Sequence, residues 1–158
     1  MRISIMLPVV ILLTASSFIS RAQYNFPLVE LEKLTGKNAS DFETAVLEKD
    51  YTLESKTSTQ VLKVYSSDKP SANGKKNIVT RYQVPNASCK IEFSTTDKKY
   101  YIEVKTKLAS MGFKLLNEDT KTIKGAQATV YNYSNGPFQL SLSTYTTDVI
   151  WYVVEVHI

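Results

Sequence analysis

The spacing of apolar positions changes character twice along the chain, and the expected elements follow from those changes. Leu28, Leu31 and Leu34 recur every third residue, and Phe42, Val46 and Leu47 at steps of four and one, each the spacing of one helical face. Gly36, Asn38 and Ser40 separate the stripes, so helices are expected near 28–35 and 40–48, joined by a turn. Ser40 is the expected N-cap of the second, with Asp41 and Glu43 in the first turn, where the helix dipole favours acidic groups. From Tyr51 the period drops to two. YTLESKTS, TQVLKVYSS, NIVTRYQV and ASCKIEFSTT are rich in β-branched and aromatic residues and predict four strands in meander order. Thr57-Ser58, the run from Ser67 to Lys76 and Pro85-Asn86 separate them, and Pro70 with Asn73-Gly74 marks the expected flexible tip.

The second half repeats the plan. Tyr101, Val104, Leu108 and Met111 share one helical face after Asp97, and Gly112 stands where a glycine ends a helix, so a helix is expected over 98–111. Four β-type runs follow: FKLLNED, TIKGAQATVYNYS, PFQLSLSTYTT and VIWYVVEVHI. Setting Tyr51 against Phe113 places Phe42 on Val104, Val46 on Leu108 and Leu53 on Leu115. The strands closing each half match in kind, Ile91-Glu92-Phe93 against Val154-Glu155-Val156. The expected fold class is therefore α+β: tandem helix-plus-four-strand units, near 28–96 and 97–158, forming one antiparallel sheet with the helices on one face.

This order of elements resembles the beta-lactamase-inhibitor-protein fold, in which two helix-plus-four-strand units make a continuous curved sheet. The resemblance covers roughly residues 28–158 and rests on element order. It implies a binding role through the concave sheet face and transfers no individual residue. The chain is also similar in style to small secreted proteins of Gram-negative bacteria.

Composition and charge narrow the function. Met1–Ala22 has a short basic start with Arg2, an apolar run from Ile5 to Leu13 and a small polar end at Ser20-Arg21-Ala22, the three parts of a secretory signal peptide. Its apolar run contains Pro8 and falls well short of the roughly 20 residues that span hydrocarbon. Cleavage after Ala22 is expected to leave one domain over 23–158, without a membrane anchor, secreted or periplasmic. The whole chain carries 19 basic and 15 acidic residues; Arg2 and Arg21 belong to the leader, so the mature charge is about +2 and nothing points to nucleic acid as a partner. One cysteine excludes an internal disulfide, and with one histidine it leaves few soft ligands, so no metal or cofactor is expected. Cys89 alternates with Ile91 and Phe93, which reads as a small core residue.

No Gly-rich phosphate loop, zinc-ligand spacing or nucleophile elbow is present, and no catalytic residue is expected. Strand parity points instead to a surface. With Phe138, Leu140, Leu142, Tyr152, Val154 and Val156 facing the helices and Val130 taken as inward, Tyr131, Tyr133, Tyr145 and Trp151 face away. The corresponding outward set of the first half is Lys63, Tyr65, Arg81, Lys90 and Glu92. Aromatic rings on a rigid sheet give large contact area at small entropy cost. The expectation is a non-enzymatic exported binding or inhibitor-like module with a protein partner on that aromatic face. The alternative is a homodimer burying the same face. A third reading pairs Glu155 and His157, two apart on one strand, as acid and base of a hydrolase.

Overall fold

The leucines of the first stripe wind into α1 (Leu28–Thr35), whose Leu28, Leu31 and Leu34 are all buried. The computed structural model describes residues 25–71, 73–83 and 89–158; the expected leader Met1–Ala22 and the Pro85-Asn86 break lie outside them. The next helix, α2 (Ala39–Leu47), buries Phe42 and Val46 and turns Leu47 outward. Its cap is Asn38 and not Ser40: the Asn38 side chain accepts the Asp41 N–H at 2.9 Å, while Ser40 lies within the first turn. The helix starts at Ala39, so the cap lies two residues before Ser40, and Asn38 is the residue left extended in front of it. In α3 (Lys98–Lys107), Asp97 Oδ1 accepts from the N–H groups of Lys99 and Tyr100 at 2.9 and 3.2 Å. A turn then runs to Gly112 at φ +85°, where the Phe113 N–H returns to the Leu108 carbonyl at 3.0 Å.

The strands are β1 (Tyr51–Leu53), β2 (Leu62–Ser67), β3 (Ile78–Tyr82), β4 (Lys90–Thr95), β5 (Lys114–Ile123), β6 (Ala126–Asn135), β7 (Phe138–Thr146) and β8 (Ile150–His157). Two runs behave differently from their pattern. β1 stops after Leu53 because Thr57 and Ser58 turn back to the Glu54 carbonyl, and the Ser58 hydroxyl takes the Val64 N–H at 3.1 Å in place of a ladder partner. The run TIKGAQATVYNYS is cut by the turn Lys124-Gly125, so its Thr122 and Ile123 end β5 and the rest forms β6.

All neighbours are antiparallel, in the order β1-β2-β3-β4-β8-β7-β6-β5, so the fold is α+β with one eight-stranded sheet. The strands that close the two halves of the chain meet at its centre, from Lys90 opposite His157 to Thr95 opposite Tyr152. Residues from all three helices join one buried cluster with Tyr65, Phe93, Leu140, Leu142, Val154 and Val156. Phe26 lies 5.4 Å from the Tyr51 ring and 5.9 Å from Phe93, and its carbonyl accepts the buried Tyr100 hydroxyl at 2.7 Å. Cys89 belongs to this cluster as a free thiol, which burial pushes up and Arg81 pulls back down.

Register corrects part of the expected face assignment. Tyr131 lies opposite Leu142 and Tyr133 opposite Leu140, so both tyrosines face the helices with those leucines. Tyr133 is buried there, and Lys105 of α3 stands 3.7 Å above the Tyr131 ring. Val130 is the outward residue, opposite Ser143. In the first half Tyr65 and Arg81 are likewise buried on the helix side: Tyr65 packs 5.7 Å from Phe42, and Arg81 donates to the Lys37 carbonyl at 3.0 Å. Lys63, opposite Arg81, shares that face, while Lys90 and Glu92 face away as expected.

Candidate functional site

The face that the helices leave open is not flat. Tyr82 of β3 and Lys121 of β5 line one cavity of about 320 Å³, although β4, β8, β7 and β6 stand between their strands. Residues that far apart in a sheet share a cavity only if the face is concave, the direction in which accumulated strand twist coils a large sheet. The tip of the β5–β6 hairpin forms one wall, through Lys121, Ile123 and Lys124. Val153, Ser143 and Tyr145 contribute to the floor from β8 and β7.

Hairpin and floor share a second, smaller apolar cluster of Ala128, Val130, Tyr145 and Val153, with Ile123, Ala126 and Trp151 packed against it. Tyr145 and Trp151 are direct cross-strand neighbours on this face. Tyr145 is only 2% exposed, and Trp151 is half-buried. The hairpin tip is what covers Tyr145, with the Lys124 ammonium 5.8 Å from its ring and 6.0 Å from that of Trp151. Of the four rings expected on one surface, the structure therefore brings two together beside the cavity and puts Tyr131 and Tyr133 on the opposite face.

At the centre of the floor Glu92 and Glu155 stand directly opposite each other across the β4–β8 pair. Lys90 donates to Glu155 at 2.9 Å and lies 4.3 Å above the Tyr82 ring. Glu92 has no ion-pair partner among the described residues; it accepts the Ser94 hydroxyl at 3.1 Å and the Tyr82 hydroxyl at 3.5 Å. Burial, then the charges of Glu92 and Glu155, push the Tyr82 phenol up to about 12. Burial is the larger of these effects on Tyr82, and the two neighbouring carboxylates add to it. Ser141 Oγ donates to Asn132 Oδ1 at 2.7 Å, which fixes a hydroxyl at the cavity edge.

Glu155 and His157 share this face, yet each is engaged elsewhere: Glu155 with Lys90, and His157 Nε2 with Gln139 Oε1 at 3.1 Å. No group of three or more His, Cys, Asp and Glu positioned to hold a metal occurs among the described residues. Sequence reasoning had Lys90 and Glu92 facing outward and singled out Glu155 only with His157, and it missed Tyr82, Lys121 and Lys124. The Lys-Gly pair within TIKGAQATV is the local sign that a hairpin arm exists; nothing local says over which floor it closes. No family model, curated protein or solved structure matches the chain.

Proposed function

We propose that the chain is an exported, non-enzymatic binding module that takes a basic side chain of a partner protein into the concave, helix-free face of its sheet. The observation that carries this reading is the half-buried Glu92, which has no ion-pair partner among the described residues, on the floor of that cavity beside a second carboxylate. A charge left without a counter-ion where solvent is partly excluded gains most from an incoming cation. Lys121 and Lys124 on the wall are exposed, so water and salt screen them and they oppose a basic guest weakly. Lys90 lies 4.3 Å above the Tyr82 ring, and Lys124 lies 5.8 and 6.0 Å from the Tyr145 and Trp151 rings, contacts of the kind an incoming ammonium or guanidinium would make.

Titration of isotopically labelled protein with an arginine-containing peptide, against the same peptide with citrulline, tests the reading. The arginine peptide is expected to shift Glu92, Ser141, Ser143 and the indole of Trp151, and Glu92→Gln to weaken it about tenfold, the weight of one charge-assisted contact. Equal responses to both peptides, or shifts on the helix side, overturn it.

Two further parts of the reading rest on pattern. Export is supported by the leader-like composition of Met1–Ala22. Among the described residues no helix is long and apolar enough to cross a membrane. A tandem origin, in the manner of the beta-lactamase-inhibitor-protein fold, is supported by the strand order, in which β1–β4 and β5–β8 run inward from the two edges to meet at β4 and β8.

A further inference from the structure

One edge of the sheet is β1, three residues long; the other is β5, ten residues long and exposed at every position from Lys114 to Thr122. Among the described residues nothing pairs with the outer side of β5. An edge of this length presents a row of unpaired N–H and C=O groups, a template for another strand. Native edges are usually protected by lone lysines or bulges. β5 does carry a bulge, but at its beginning, between Leu115 and Asn117, so the stretch 117–123 remains regular.

We propose that two copies of the chain pair through β5, antiparallel, about a twofold axis at Thr120. The charge order along the strand selects both the partner and the register. In an antiparallel pair opposed residues share a face, so a twofold axis must pass beside one residue, which then faces its own copy. An axis at Glu118, Asp119 or Lys121 sets identical charges directly against each other. One at Asn117 runs into the bulge, and one at Thr122 leaves only a few residues before the Lys124-Gly125 turn. The axis at Thr120 sets Thr120 against Thr120 and Asp119 against Lys121 of the second copy, twice by symmetry. Asp119 and Lys121 lie opposite Val130 and Ala128, so both ion pairs form on the helix-free face. Glu118 meets Thr122 on the other face, and Asn117 meets Ile123. The eight-stranded sheets become one continuous sheet with both cavities on the same side.

Sedimentation equilibrium on the whole soluble chain tests the pairing, at about 100 μM because an interface this small associates weakly. The wild type is expected to reach the dimer mass. Asp119→Lys and Lys121→Asp, each opposing like charges twice, are expected to weaken association roughly tenfold or more. The double variant Asp119→Lys with Lys121→Asp restores the opposite charges and with them the dimer. Both positions are exposed, and far-UV circular dichroism verifies that each variant is folded. A monomeric wild type, single variants that dimerise as well as the wild type, or a double variant that stays monomeric each overturns the proposal.

Discussion

Tyr82 is the side chain on which the character of the open face is read most directly. Its phenol, raised by burial and by Glu92 and Glu155 from an ordinary value of 10.0 to about 12, keeps its proton where a free tyrosine loses it. The unfolded chain then releases that proton first, so the stability Tyr82 contributes is complete below about pH 10 and is lost as pH rises towards 12. Resolving the tyrosine ring carbons by NMR through an alkaline titration should show Tyr82 ionising near 12, and Glu92→Gln should move it down. A Tyr82 that ionises near 10 in the wild type would show that neither burial nor the two carboxylates act on it. Arg81, its neighbour in sequence, points the opposite way for a physical reason that polarity alone conceals. Its guanidinium carbon stands 5.5 Å from the centre of the Phe42 ring, and the same head donates to the Lys37 carbonyl at 3.0 Å and to Gln83 Oε1 at 2.8 Å.

The β5–β6 hairpin is the element that converts an open sheet face into a cavity. Its two-residue turn holds Lys124 at φ 51° and Gly125 at φ 80°, both in the left-handed region that matches the twist of paired strands. Gly125→Ala meets no neighbouring atom but forces a Cβ into that region, a cost of roughly 1 kcal/mol. Urea unfolding is expected to register that loss. Amide exchange at Ile123 and Ala126, which pair across the turn, is expected to accelerate, and Gly125→Asn should recover part of both because asparagine tolerates the left-handed region. An alanine variant with unchanged protection would show that the turn does not hold the arm in place.

The molecule as a whole has one principal core, not one for each half of the chain. A single cluster joins Phe42, Tyr65 and Phe93 from the first half to Leu140, Leu142 and Tyr152 from the second, and the β4–β8 pair lies in the middle of it. Neither half can leave without exposing apolar surface of the other. Calorimetry is therefore expected to show one transition with equal calorimetric and van't Hoff enthalpies. Two separable transitions would mean that the halves fold independently.

Element type and order were legible along the chain because helix and strand periods are local properties. The leucine stripe marked α1 at 28–35, the Phe42–Val46 spacing marked α2, and the Asp97 start with the Gly112 stop bracketed α3. Where alternation separated apolar from polar residues, as in Phe138-Gln139-Leu140-Ser141-Leu142, it also told which side faces the helices. It failed along Val130-Tyr131-Asn132-Tyr133, where either parity is compatible with burial. There the decision belongs to β7, whose leucines face the helices and whose register carries Tyr131 and Tyr133 to the same side. Sequence by itself thus determined the elements and much of their amphipathic pattern. Only the tertiary structure decided that Glu92, Glu155, Tyr82 and the lysines of a distant hairpin share one cavity, because that meeting depends on the accumulated curvature of eight paired strands.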